Sequence, residues 1–393
     1  MLKILLNTIV LLKSNHKINY FCRMKRVNIS VINDLVTDQR VHKVCNFLKD
    51  IGFEVLLIGR KLPQSPEMDK RQYETKRMKL LFRSGPLFYA CFNLRLFFLL
   101  LFRKADLLVS NDLDTLLANY LVSKIKGIPL VYDSHEYFTE VPELEGRKAR
   151  KVWLAIENYI FPKLKEVITV NDSIAKIYKE KYGVDVKVVR NLPSGQKKEI
   201  AQISKTDLGV SENQKIVILQ GSGINLDRGG EEAVLAMKAV ENAVLLVVGS
   251  GDALPELKRI VEKEGLHNKV KFIPRQKPDY LYGYTVLADV GLSLDKDTNL
   301  NYRYSLPNKI FDYIHCGVPV LASDLPEVAR IIRGYDAGIV LKDYSVNSIS
   351  NAIKKMLTED FKSSKTNNLK KASLELTWET NREVLNNVYI KYL

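Results

Sequence analysis

The sequence predicts an α/β protein built of two doubly wound domains that face each other across a cleft. Three observations carry this expectation. Apolar, strand-like runs alternate with helical patterns, the sign of parallel sheets covered on both faces. The runs fall into two series of similar length. A turn-rich stretch, Arg190-Asn-Leu-Pro-Ser-Gly195, separates the series and leads into a polar, charged segment.

The first series covers residues 27–32, 54–58, 106–110, 128–132, 166–170 and 186–189. Between its first two runs, Val41, Val44, Cys45 and Leu48 fall at i, i+3, i+4 and i+7, which marks an amphipathic helix ended by Gly52. The second series covers 215–220, 244–248, 269–273, 289–294, 318–323 and 338–341. The expected organisation is an N-terminal extension over 1–23, a first domain over 24–193, a second over 194–375 and a final helix over 376–393. Residues 4–12 are apolar but too short to span a bilayer. Met24-Lys25-Arg26 leads straight into the first strand, so 1–23 reads as an extension or as sequence upstream of the natural start. No later stretch reaches about 18 apolar residues, so no transmembrane helix is expected.

Ligands of doubly wound folds bind outside the carboxyl ends of the strands, so the turns there are the places to look. Ser305-Leu-Pro-Asn-Lys309-Ile-Phe-Asp312 reads as a short helix before the strand over 318–323, with Ser305 as its cap and Pro307 in its first turn. A helix start offers unpaired N–H groups and partial positive charge to a phosphate, and Lys309 adds a full charge. Asp312 lies one turn on, on the same face. That pair suits a diphosphate and sugar hydroxyls; solvated side chains on an ordinary βα unit fit the spacing equally well.

Gly221-Ser-Gly223, followed by Arg228-Gly229-Gly230, and Gly249-Ser-Gly251 also follow strands of the second domain. Small residues let a backbone approach a phosphate, and Arg228 can grip one bidentately. Glycine pairs at such turns are also commonly tight turns. The loop opened by Pro274, residues 274–276, is the expected base pocket.

In the first domain, the strand over 128–132 ends in Asp133-Ser-His135-Glu136-Tyr137, which puts His135 at the cleft. Asn111-Asp112-Leu-Asp114 follows another strand. It has an Asp-x-Asp metal pattern, but Asp114 also suits the first turn of a helix. The second reading is preferred and no metal site is expected. Asp34, Asp38 and Arg40 follow the first strand, where they cap the next helix or line the cleft. Asp38, Arg40, Asp112 and Asp114 are the candidates on the acceptor side.

The chain has 393 residues, 46% of them hydrophobic, and so is globular. Its net charge of +15 favours anionic partners. The basic residues are spread along the chain without a nucleic-acid-binding motif, so no nucleic-acid partner is expected. Four cysteines without CxxC spacing indicate free thiols in a reducing, cytoplasmic setting. Segment 76–104 mixes basic and bulky apolar residues. Residues 93–102 read as a core helix. Residues 77–92 read as a contact for an anionic membrane surface, the inner face of the cell membrane, with Lys76, Arg77, Lys79 and Arg83 as its charge.

Residues 306–323 resemble the nucleotide-sugar signature of the retaining GT-B glycosyltransferases of family 4, E-x7-E-A-x-A-x-G-x-P-V. The second Glu falls on Asp312, which implies a contact to the nucleotide ribose, and Tyr304 stands in place of the first. The family's Arg…Lys-Gly phosphate pair maps onto Gly221 to Gly229, with Arg228 at the Lys position and Ser222 or Gly223 at the Arg position. His135 matches the family's active-site His, and Asp38-Gln-Arg40-Val41 resembles its first-strand loop. Trp378-Glu379 resembles the start of the final helix, which in that fold crosses back onto the first domain. The resemblance implies two Rossmann-like domains and transfer of a sugar, with retention, from a nucleoside diphosphate sugar to a glycan or lipid-linked acceptor. It implies no cofactor and no obligatory metal. His135, Arg228 and Lys309 are then the catalytic candidates. Gly221, Gly223, Arg228, Gly249, Gly251, Pro274, Lys309 and Asp312 are the donor-binding candidates. A nucleotide-sugar epimerase of the same fold and a basic nucleic-acid-binding protein are the alternatives.

Overall fold

The computed structural model describes residues 23–36, 38–63, 65–195 and 200–393. The expected extension over 1–23 lies outside them except for its last residue. The chain forms two all-parallel sheets. The first contains β1 (Arg26–Asp34), β2 (Glu54–Lys61), β3 (Glu74–Lys79), β4 (Leu107–Asn111), β5 (Leu130–Ser134), β6 (Glu166–Thr169) and β7 (Val186–Val188), in the order β3-β2-β1-β4-β5-β6-β7. The second contains β8 (Lys215–Gly221), β9 (Ala243–Gly249), β10 (Val270–Pro274), β11 (Val290–Ser293), β12 (Val320–Ser323) and β13 (Gly338–Leu341), in the order β10-β9-β8-β11-β12-β13. Both are the doubly wound, helix-covered sheets that the alternating pattern predicts.

The strand order reverses once in each sheet, between β1 and β4 in the first and between β8 and β11 in the second. At such a point the loops leave the sheet in opposite directions and open a crevice. The loops after β1 and β4 therefore frame one crevice, and those after β8 and β11 frame the other.

Three local expectations change. Strand β3 was not foreseen, because its sequence Glu-Thr-Lys-Arg-Met-Lys buries only Met78. It is a charged edge strand, the kind that blocks edge-to-edge pairing, and Arg77 on it pairs with Asp34 at 3.0 Å. Residues 85–102 form one continuous helix, Gly85–Phe102, of which only Phe88, Phe92, Leu96 and Leu100 are buried. Over 93–102 it is a core helix on one face, with Leu96 and Leu100 fully buried; against expectation, its mean hydropathy of 1.7 over 18 residues makes it long and apolar enough to cross a membrane by length and composition, and only 22% of it is buried. The short helix of the signature segment starts at Asn308, not at a Ser305 cap. The Ser305 hydroxyl instead donates to the Tyr302 carbonyl at 2.9 Å and closes the preceding turn.

Near the C-terminus, a tight turn over Trp378–Asn381 precedes the helix Arg382–Tyr389. Trp378, Leu385, Val388 and Tyr389 pack in one core with Val27, Ile29, Phe47 and Leu48 of the first sheet and its first helix.

Candidate active site

At the second crevice, the loop after β8 meets the loop after β11. Gly229 sits at φ +70°, and a Cβ there would stand 2.4 Å from the Leu294 carbonyl oxygen. The contact brings Arg228 onto Asp295: an Arg228 Nη1 donates to Asp295 Oδ1 at 2.8 Å. Lys309, in the first turn of the helix Asn308–His315, reaches the other oxygen, Oδ2, at 3.4 Å. Asp295 is buried. Burial alone would raise its carboxyl, but Lys309 and Arg228 outweigh burial and hold it low. The Lys309 ammonium is lowered by burial, which Asp295 opposes. The Arg228 guanidinium also stacks over the Tyr302 ring, 4.5 Å from its centroid. Two cations are thus held against one carboxylate, so this cluster of three side chains carries a net positive charge.

Asp312 lies on the same helix but faces a different set of groups. The Tyr282 hydroxyl donates to its Oδ1 at 2.8 Å, and the Gln220 amide to its Oδ2 at 3.3 Å. Thr285 fixes Gln220 in turn, at 2.7 Å. Gly221, Gly249 and Pro274 stand side by side at the carboxyl ends of β8, β9 and β10. Gly249 and Gly251 have a structural explanation. A Cβ on Gly249 would stand 1.8 Å from the Gly221 carbonyl oxygen, and one on Gly251 would stand 2.1 Å from the Ile224 carbonyl oxygen. These glycines let one turn pack on the other. Gly223 has no such constraint; a Cβ there meets only the Asn225 side chain at 3.6 Å.

At the first crevice, His135 leaves the end of β5 and meets the loop after β4. Its backbone N–H donates to Asp112 Oδ1 at 2.8 Å, and its Nδ1 lies 3.4 Å from Oδ2. Its Nε2 lies 3.2 Å from Asn111 Oδ1 and 3.7 Å from Asp133 Oδ2. Burial would lower the imidazole, but Asp112 and Asp133 outweigh it and raise His135 to about 9. The ring is a cation at neutral pH. Asp112 holds φ +58° and ψ 167°, a conformation that costs a non-glycine residue about 1–3 kcal/mol. Such strain persists only where surrounding contacts enforce it, and here they aim the Asp112 carboxylate at His135.

The other acceptor-side candidates divide. Arg40 is buried, with Nη2 on Asp133 at 2.7 Å and Nη1 on the Val189 carbonyl at 2.6 Å. It supports Asp133 from behind. Asp38 caps the helix Gln39–Asp50 by accepting from the Val41 N–H at 3.0 Å. Asp114 is buried in the first turn of the helix Leu113–Lys126, where burial and then Asp112 raise it well above the ordinary carboxylate range. Glu136 is raised to about 7, by burial first and the Asp112 charge second.

The two crevices are joined by a short segment. Asn301 donates to Glu136 Oε2 at 3.3 Å and accepts from the Tyr137 N–H at 3.2 Å. The next residue is Tyr302, under Arg228. Asn171 donates to the Tyr304 carbonyl at 2.7 Å, so Tyr304 contributes its backbone to the domain junction. Asp295, Asn301, Tyr302, Glu136 and Tyr282 escaped the sequence reading. Asp295 and Glu136 had a local signal, since each follows closely on the carboxyl end of a strand. Among the described residues, no group of three or more His, Cys, Asp or Glu side chains is arranged to hold a metal ion.

Comparison with known proteins bears on both halves. A family model described as Glycosyltransferase Family 4 matches residues 38–195, and one described as Glycosyl transferases group 1 matches 202–375. The chain is 24% identical over 212 residues to a chitobiosyldiphosphodolichol beta-mannosyltransferase of Candida albicans, covering 49% of this chain and 46% of that protein. A Candida glabrata protein of the same name is 25% identical over 256 residues, 56% of each. The chain spans about half the length of these curated relatives. Among solved structures, sucrose-phosphate synthase from Thermosynechococcus elongatus superposes with a TM-score of 0.77 at 18% identity, covering 94% of this chain and 99% of that one. Anabaena HepE in complex with UDP-glucose gives 0.70 at 16% identity, covering 93% and 100%. With one model on each sheet and the two-sheet fold shared across these structures, the chain belongs to the GT-B glycosyltransferases of family 4, group 1 type.

Proposed function

We propose that this glycosyltransferase takes its sugar from a nucleoside diphosphate sugar and transfers it to a glycan or lipid-linked acceptor in cell-surface polysaccharide or glycolipid synthesis. The observation that carries the reading is the pair of cations, Arg228 and Lys309, on the buried Asp295 at the second crevice. When the bond from the anomeric carbon to the diphosphate breaks, negative charge grows on the leaving oxygen. Fixed cations stabilise that charge as it develops. They also take the part a divalent metal plays elsewhere, so the reaction needs no metal. Asp312, whose carboxylate Tyr282 and Gln220 hold in place, takes the ribose hydroxyls in this reading. His135, held cationic from the opposite domain, donates to the transferred sugar. The structural neighbour held with UDP-glucose and the relatives' dolichol-linked name support the donor and acceptor classes. The scattered thiols and positive charge support a cytoplasmic site of action at the inner membrane face.

The family resemblance gives retention at the anomeric carbon. One observation favours the inverting alternative: Glu136 sits on the acceptor side with a carboxyl raised to about 7, which suits a general base for the acceptor hydroxyl. The relatives' name specifies a beta linkage. A thermal-shift screen of UDP, GDP, ADP and their sugars identifies the donor, since a nucleotide at 100 times its Kd stabilises by about 2.7 kcal/mol. Proton NMR of the product then reads the anomer. Failure of all three nucleotides to stabilise the protein overturns the donor reading, and an epimerised free sugar without a new glycosidic bond overturns the transfer.

A further inference from the structure

The helix Gly85–Phe102 has two faces of nearly equal hydrophobicity, and among the described residues only one of them is covered. Phe88, Phe92, Leu96 and Leu100 recur every fourth residue and pack on the first sheet. At 100° per residue, Leu87, Leu94, Phe98 and Phe102 fall on the opposite side, and these are 61%, 60%, 49% and 81% exposed. The rings of Phe98 and Phe102 lie parallel with centroids 6.4 Å apart, and with Lys76, Met78 and Arg95 they line an open cavity of about 420 Å³. Leu81 and Phe82 extend the patch beyond the helix start. Monomeric proteins rarely leave such a contiguous surface bare.

The charge around the patch points to its partner. Between Glu74 and Asp106 there is no acidic residue. Lys76, Lys79, Arg83 and Lys104 are exposed around the patch. None of the four has a carboxylate partner among the described residues. A cavity of about 460 Å³ opens at the carboxyl ends of β2 and β3 beside the helix start, lined by Arg60, Lys61, Lys79 and Arg83 and floored by Leu80 and Phe82. Arg77, by contrast, is tied to Asp34 and Phe92 is fully buried, so neither takes part; Phe88 is buried as well and lines the inner wall of the cavity, with the Arg60 guanidinium over its ring at 5.1 Å. The helix cannot cross a bilayer as a span, because β3 before it and β4 after it belong to the same sheet. It lies along that sheet and offers a flank.

We propose that this flank docks on an anionic lipid bilayer: Leu87, Leu94, Phe98 and Phe102 enter the acyl boundary, and the Arg60–Lys79–Arg83 cavity takes a lipid phosphate. Apolar insertion and basic residues together give reversible anchoring where neither suffices alone. Asn93, on the same helix, donates to the Asp114 carbonyl at 2.8 Å, which ties the docking helix to the first turn of the helix Leu113–Lys126. The proposal does not depend on the donor or the reaction.

Co-sedimentation of the full chain with phosphatidylcholine vesicles, with and without phosphatidylglycerol, tests it. Wild type is expected to pellet with the anionic vesicles and to release as salt rises to about 1 M. Leu94→Ser/Phe98→Ser/Phe102→Ser and Lys76→Ser/Lys79→Ser/Arg83→Ser variants replace exposed side chains and should keep the wild-type melting temperature. Each is expected to lose vesicle affinity, on the order of 100-fold for the three cations. A photoreactive group at position 98 reports the occupant directly. Cross-linking to lipid supports the proposal. Cross-linking to a second copy, with a dimer in sedimentation equilibrium, or to residues 1–22 of the same chain overturns it. So does equal pelleting of wild type and both variants.

Discussion

Replacing Lys309 by methionine removes one charge from the second crevice and little else. Methionine keeps the stem length and fills the same space, so packing is nearly conserved. Asp295 does not become an orphan, because Arg228 stays at 2.8 Å and the Ser293 hydroxyl donates to it at 3.3 Å. The fold should therefore hold, with a melting shift of no more than a few degrees. The cluster itself changes from two cations on one carboxylate to a neutral Arg228–Asp295 pair. A charge-assisted contact to phosphate contributes about 1.5–3 kcal/mol. The dissociation constant of the cognate nucleoside diphosphate should rise about 10–150-fold. Catalysis should fall further, since the leaving diphosphate carries more charge in the transition state than in the bound donor. Calorimetric titration of wild type and variant with the nucleotide found by thermal shift measures the first effect, and kcat/KM the second. A folded Lys309→Met variant with unchanged nucleotide affinity would refute the phosphate site. Arg228→Ala is the companion, and it should also release Tyr302 from its stacking partner.

Four further outcomes follow from the first crevice and from the charge scheme. His135→Ala should cut turnover by about 100-fold or more while nucleotide affinity changes little; collapse of affinity with normal turnover of bound donor would show His135 to be misassigned. Because His135 is raised to about 9 from 6.5, its pairing with Asp112 and Asp133 contributes stability that is full below pH 6.5 and lost as pH rises through 9, so denaturation of wild type but not of His135→Gln should show that decline. Glu136 is raised from 4.5 to about 7, so it costs stability as pH rises through that window; Glu136→Gln should gain up to about 3 kcal/mol over wild type at pH 8 and nothing at pH 4, and a pH-independent difference would contradict it. Activity should survive EDTA, and complete loss restored by magnesium or manganese would mean that Arg228 and Lys309 do not carry the charge alone.

The double sheet was legible because parallel strands buried on both faces are apolar throughout, as in Val-Leu-Leu-Val-Val at β9. β3 was hidden because its burial is one methionine and the rest of it is charged edge. Arg228 and Lys309 could be named from turn and helix-start chemistry, which is local. Asp295 could not be given its role, since that role exists only because β11 lies beside β8, a fact of strand order. Arg40 and Asp133 pose the same difficulty, being 93 positions apart in the chain. Gly249 and Gly251 have a second reason to be glycine that no local pattern shows: close backbone approach is what glycine permits, and here the approaching backbone is the neighbouring turn. The helix Gly85–Phe102 carries no periodicity to read, because residues facing the sheet and residues facing outward are equally apolar.

Tyr389 packs against Phe47 with ring centroids 6.4 Å apart, in the same core as Val27 and Ile29. Synthesis reaches that tyrosine more than three hundred residues after it makes β1. A ribosome that has just finished the helix Glu359–Glu375 has delivered every strand of the second sheet, while the older sheet still lacks Leu385, Val388 and Tyr389. Maturation therefore runs against the direction of translation at its last step: the half made first is sealed last. Until then Phe47 lacks its ring partner and the core it shares with Leu385, Val388 and Tyr389 is incomplete, and a stalled or clipped chain ending near residue 375 should be held by chaperones through its N-terminal half.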